Sequence, residues 1–112
     1  MLIEERKEGD VLVARVLDNR LDAKVALEFK ETMKKFIEDG ARSIVLNLSE
    51  VEFIDSSGLG AIVSSLKKLG QPGKLVISGT SDTVSTMFKL TRMDKVFRMF
   101  NTEDEAIEAL MN

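Results

Sequence analysis

The run Asp55-Ser56-Ser57-Gly58-Leu59-Gly60 gathers the side chains of this sequence that could carry chemistry: a carboxylate, two hydroxyls and two glycines. It sits between the apolar stretch Val51 to Ile54 and a stripe of Leu59, Ile62, Val63, Leu66 and Leu69. That stripe is spaced i, i+3, i+4, i+7 and i+10, so the run opens a helix that ends at Gly70. A helix start leaves its first amides unpaired and carries a partial charge of about +0.5. Two uses of the serines follow. Ser56 or Ser57 can accept a hydrogen bond from one of those amides, a cap that serves folding alone. Alternatively, the same amides can hold a phosphate esterified to a first-turn serine, so that the domain tolerates modification without unfolding.

Glycine inside a helix costs about 1 kcal/mol relative to alanine, so Gly58 and Gly60 imply a close approach to that backbone. Gly60 and Ser64, with Ala61 and Ser65 beside them, make a low-relief surface away from the leucine stripe. Such a surface suits either a partner lying flat against it or close helix packing inside the domain.

Other chemistry is excluded by composition. Cys, His, Trp and Tyr are all absent. That removes disulfides, Cys/His zinc sites, a thiol nucleophile and a serine activated by histidine. No acidic cluster announces a carboxylate metal site, and neither G-x-G-x-x-G, G-x-x-x-x-G-K-[ST] nor G-x-S-x-G occurs. No metal or cofactor is expected. The net charge of -3 argues against direct nucleic-acid binding, which rests on many cations neutralising phosphates. Between Ser56 and Phe100, however, Lys67, Lys68, Lys74, Lys89, Arg92, Lys95 and Arg98 face only Asp82 and Asp94. A solvated polar face is the preferred reading of these charges over an anion-binding patch. The N-terminus carries two acidic residues, Glu4 and Glu5, within its first five positions, and no apolar run approaches the ~18 residues that cross a bilayer, so no membrane partner is expected and the location read is cytoplasmic.

The elements that must position the Asp55 to Gly60 run alternate in type. With 112 residues the chain fits one domain, 1–112. Leu2 to Arg6 and Val11 to Leu17 read as a strand pair at the sheet edge, followed by the polar step Asp18-Asn19-Arg20. Asp22 is positioned to cap a helix carrying Val25, Phe29, Met33, Phe36 and Ile37, with Lys30, Glu31, Lys34, Lys35 and Glu38 on its wet side. Ile44 to Leu48 and Leu75 to Ile77 read as buried strands, and Val96 to Phe100 as a last one. Ser81 can cap a helix with Val84, Met87 and Phe88. Thr102 and Glu105 form a capping-box pattern before Ile107, Leu110 and Met111. The expected fold is α/β: a mixed, mostly parallel sheet of four to five strands with about four helices.

Asp55-Ser56-Ser57-Gly58-Leu59-Gly60, preceded by Ile44-Val45-Leu46-Asn47-Leu48-Ser49 and Phe53-Ile54, resembles the anti-sigma-factor antagonists of the bacterial STAS domain family. Leu21-Asp22 and the order of elements from Leu2 to Met111 are similar as well, and the absence of a membrane segment resembles the free-standing regulators. The resemblance implies a partner-switching protein in transcription regulation. Its unphosphorylated form would bind an anti-sigma factor that is also a serine kinase, and so release the sigma factor. A PP2C-type phosphatase would restore that form after phosphorylation. The domain would be a substrate and not an enzyme. The family's phosphorylated residue falls on Ser56, with Ser57 as the fallback, and partner recognition would spread over Asp55, Ser57, Gly58, Gly60, Ala61 and Ser64.

Two other readings compete. A receiver-like phosphoacceptor domain would use Asp55, but phosphoryl transfer to an aspartate needs Mg²⁺ held by further carboxylates, and the first strands offer no acidic pair at a strand end. A STAS scaffold within a larger signalling assembly would bind partners without switching.

Overall fold

Alternating side chains in short strands decide how this chain folds, and the computed structural model describes all of residues 1–112. Strands β1 (Ile3–Glu8) and β2 (Val11–Val16) form an antiparallel hairpin, with Glu8 opposite Val11. The Gly9-Asp10 turn between them requires a left-handed residue, and Gly9 supplies it at φ 62°. The short segment β3 (Arg20–Leu21) leads into helix α1 (Ala26–Glu38). There follow β4 (Ser43–Asn47), β5 (Phe53–Ile54), helix α2 (Ser56–Leu69) and β6 (Lys74–Ser78). Helix α3 (Asp82–Leu90), a 3-10 turn over Met93–Lys95, β7 (Met99–Phe100) and helix α4 (Glu103–Met111) complete the chain.

The main sheet has five strands in the order β1-β2-β4-β6-β7. Every pair beyond the hairpin is parallel, so the sheet is mixed and mostly parallel, in agreement with the expectation from the sequence. Because successive residues of a strand point to opposite faces, each central strand divides its apolar residues between two layers. Leu12, Ala14, Val16, Ile44, Leu46, Leu75 and Ile77 join Phe29, Met33, Ile62, Val84 and Phe88 in one cluster, under α1, α2 and α3. Val11, Val13, Val45 and Val76 join Ala106 and Ile107 of α4 in the other. The α4 start carries the expected capping box, in which Thr102 Oγ1 accepts from the Glu105 amide and the Glu105 carboxylate accepts from the Thr102 amide. No helix is long and apolar enough to cross a membrane.

Three local expectations change. Asp22 does not cap α1. Its Oδ1 accepts from the Lys24 amide and its carbonyl accepts from Val25 and Ala26, so it opens a turn that precedes the helix, whose N-cap position is Val25. Asn19 and Arg20 are not merely a polar step: Arg20–Leu21 pairs in parallel with Phe53–Ile54 as a separate two-stranded sheet. The expected strand from Val96 to Phe100 shrinks to Met99–Phe100, because Arg92 turns left-handed at φ 63° and starts the 3-10 turn, and Phe97 is buried against Phe88.

Candidate functional site

The small β3–β5 sheet sets the site. It lays Arg20 beside Phe53 and Leu21 beside Ile54, so that the turn before α1 and the first turn of α2 lie against one another. Asp55 joins them. Its extended backbone, at φ -113° and ψ -175°, makes it the N-cap of α2. Oδ1 accepts from the Gly58 amide at 3.0 Å and Oδ2 accepts from the Ala23 amide at 3.3 Å. Both carboxylate oxygens are therefore committed to backbone amides on different segments.

This corrects the capping read from the sequence: the side chain that satisfies the helix start is Asp55, not Ser56 or Ser57. Both serines are exposed on the first turn of α2, at the end where unpaired amides and the helix dipole favour negative charge. The close approach implied by glycine is also accounted for. A Cβ at Gly58 would run into the Leu21 carbonyl oxygen and press Ile54 Cγ1 at 2.9 Å, so Gly58 lets β3 cross the helix start. Gly60 differs, with no atom within 4 Å of the place its Cβ would occupy. Nothing inside the domain requires glycine there.

The small-residue surface is divided. Ala61 is 2% exposed and Ser65 4% exposed, and the Ser65 hydroxyl donates to the Ala61 carbonyl at 2.9 Å, so both turn inward. Gly60 is open and Ser64 half-buried. Of the residues proposed for partner contact, Ser57, Gly60, Ser64 and part of Asp55 remain at the surface, whereas Gly58 and Ala61 lie beneath it. Their burial follows from helical geometry: Gly58, Ala61, Ile62 and Ser65 share the inner side at i, i+3, i+4 and i+7.

Sequence reasoning passed over two neighbours. Phe53 belongs to the apolar stretch Val51 to Ile54, yet it is 37% exposed while Ile54 is fully buried, as alternation along a strand requires. The Arg20 guanidinium stacks 4.3 Å above the Phe53 ring centre and its Nε donates to Asp22 Oδ2 at 3.1 Å. The Arg20 hydrogen bond outweighs desolvation and, with help from the Lys24 amide, holds the Asp22 carboxyl below its ordinary range. The alternation of Glu52, Phe53 and Ile54 was the available signal. The Asp and Glu side chains bring together no group of three able to hold a metal ion.

Residues 3–106 match the family model described as STAS domain. Over 72 residues, 63% of this chain and 67% of the relative, the sequence is 40% identical to the anti-sigma-B factor antagonist of Staphylococcus aureus. A Thermotoga maritima crystal structure, described as a candidate anti-sigma factor antagonist, superposes with a TM-score of 0.89 at 29% identity, covering 98% of this chain and 95% of that one. The anti-sigma factor antagonist SpoIIAA in its unphosphorylated form shares the fold, with a TM-score of 0.75 at 23% identity over 99% of both chains. The Bacillus SpoIIAA in its phosphorylated form gives 0.73 at 23% identity, over 96% of this chain and 98% of that one.

Proposed function

The chain belongs to the STAS domain family, and from that membership we propose that residues 1–112 act as one cytoplasmic domain that antagonises an anti-sigma factor. In this reading the unphosphorylated domain binds an anti-sigma factor with serine kinase activity, and the sigma factor is released. Phosphorylation at Ser56 ends the binding, and a PP2C-type phosphatase restores it. The domain is the substrate of those enzymes and catalyses nothing itself. The 40% identity to an antagonist of an anti-sigma-B factor supports the partner class, and the existence of a related fold in phosphorylated and unphosphorylated forms supports the switch.

The observation that carries the reading is local. Ser56 is an exposed hydroxyl at the first position of α2, immediately after the carboxylate that caps it. Asp55 is poorly suited to be the phosphoacceptor, because both of its oxygens already bind amides. A phosphate on Ser56 replaces a small neutral group with a charge of about -1.5 to -2 and three strong acceptors. The free domain accommodates this charge at its helix end, while a fitted interface would have to desolvate it. A loss of even ~3 kcal/mol weakens association more than a hundredfold. Ser57, Gly60 and Ser64 supply the surface around the switch, and Asp55 and Gly58 hold that surface in shape.

Mapping phosphate on the tryptic peptide Ser43 to Lys67, from protein isolated out of growing and stressed native cells, tests the reading. Phosphate on Ser56 that changes with growth state is the expected result. Phosphate on Ser57 instead would transfer the switch to the neighbouring hydroxyl, and a peptide unmodified under every condition would remove it, leaving a scaffold.

A further inference from the structure

Away from the α2 start, a groove of about 300 Å³ runs between α1 and α2 and is lined by Lys30, Glu31, Lys34, Ser64, Ser65 and Lys68. No apolar side chain lines it. Helical spacing explains the convergence: Lys30 and Lys34 are i, i+4 on α1, and Ser64 and Lys68 are i, i+4 on α2, so each helix contributes one row to the same groove. Three ammonium groups and one carboxylate give the lining a net charge of +2, in a chain whose total is -3.

The lysines have little to pair with. Lys30 and Lys34 take part in none of the ion pairs of the chain, and Glu31, although on the same helix, pairs with neither. Lys68 Nζ stands 3.9 Å from Glu38 Oε2, at the limit of an ion pair and with both groups about half exposed. Like charges at i, i+4 repel, so the Lys30 and Lys34 row is unfavourable for α1 by itself. The Ser65 hydroxyl is consumed by the Ala61 carbonyl, which leaves the half-buried Ser64 hydroxyl as the neutral donor of the groove.

We propose that this groove binds a compact multivalent phosphate anion of the diphosphate class. A single carboxylate could neutralise one ammonium and would leave the other two facing each other, whereas a diphosphate presents enough charge and acceptors for all three and for Ser64. Lysine serves such ligands as a mobile point charge. The volume lies at the small end of ligand sites, which suits a short anion. Glu31 works against the ligand and limits its affinity. The groove lies along the bodies of α1 and α2 and meets the surface proposed for the anti-sigma factor at Ser64 alone; Ser56 does not line it.

The test is a titration of the ¹⁵N-labelled full chain with pyrophosphate, with sodium chloride at matched ionic strength as the control. Saturable shifts at the amides of residues 30–34 and 64–68 are expected, with orthophosphate at least tenfold weaker. Lys34→Gln combined with Lys68→Gln should weaken pyrophosphate at least tenfold while the remaining spectrum stays in place, because both side chains are exposed. Glu31→Gln should strengthen it severalfold. Shifts that follow ionic strength alone, or that persist unchanged in the double variant, would overturn the site. So would equal affinity for orthophosphate.

Discussion

Two glycines two positions apart on the same helix have opposite reasons for being glycine, and this separates folding from recognition at single positions. Gly58 sits against the Leu21 carbonyl, a backbone atom that cannot step aside, so Gly58→Ala is expected to lose ~1–3 kcal/mol of stability by overpacking. Gly60 faces open space, and Gly60→Ala should leave stability unchanged or raise it by up to ~1 kcal/mol, since alanine is the better helix former. Urea unfolding of the two variants checks both signs. If the Gly60 surface meets a partner closely, Gly60→Ala should also weaken capture of the anti-sigma factor from native-cell extract at least tenfold, even though the domain is no less stable. Undiminished capture would place Gly60 outside the interface. Asp55 belongs to the same argument. Its replacement by Ala removes the cap and the link to Ala23 together, with an expected loss of ~1–2 kcal/mol, whereas Asp55→Asn keeps an acceptor for Gly58 and should lose less.

At the scale of elements, α4 illustrates how one charged residue can fasten a helix across the sheet. Glu103 is its first residue, and its carboxylate accepts from Asn47 Nδ2 at the end of β4 and from the Arg6 guanidinium on β1. Desolvation pushes the Glu103 carboxyl up, but the hydrogen bonds from Asn47 and Arg6, with the charges of Arg6 and Arg15, outweigh it and hold the group below its ordinary range. A carboxyl depressed in the folded state contributes stability that is fully present above its unfolded value, about 4.3, and is lost as pH falls through the lower folded value. Glu103→Gln should therefore reduce stability at neutral pH and flatten the acid limb of a plot of urea midpoint against pH. An unchanged acid limb would mean that Glu103 does not report on docking of α4. This clamp was not legible in the sequence, since Arg6, Asn47 and Glu103 are joined only by tertiary packing. The capping box of Thr102 and Glu105, by contrast, lies within four residues and could be read directly. The same division holds elsewhere. β2, β4, α2 and their apolar patterns were readable because each spans five residues or more of regular spacing. The two-residue strands β3 and β5 offer no period to detect, and with them went the Arg20–Phe53 stack, the turn at Asp22 and the identity of the α2 cap. Of the two uses that the sequence leaves open for the small residues of α2, packing inside the domain holds for Ala61 and Ser65, whereas Gly60 stays open to solvent.

For the molecule as a whole, the question is whether a phosphate at one helix end acts on the entire domain or only on what touches it. The domain extends 31 by 26 by 23 Å, whereas the Debye length at physiological ionic strength is about 8 Å. Phosphorylation would lower the net charge from -3 by about 2, but screening confines most of that field to the rim around α2. The sheet and its two apolar layers lie behind this rim and share no charged partner with Ser56. Ser56→Asp is thus expected to leave the thermal midpoint within about 3 °C of the wild type, a shift of less than ~1 kcal/mol for a domain of this size. Capture of the anti-sigma partner should nevertheless fall more than a hundredfold. Salt distinguishes the two forms that a local block can take. If long-range repulsion between carboxylates were the cause, 1 M sodium chloride, with a Debye length of about 3 Å, would restore binding to the Asp variant. A buried charge at a fitted contact must instead lose its water at any ionic strength, and salt does little to offset that cost. The exposure of Ser56 at the centre of the free α2 start, beside Ser57 and Gly60, favours the second form. Binding of Ser56→Asp should accordingly remain lost in 1 M salt, while Ser56→Ala binds as the unmodified protein does and resists phosphorylation.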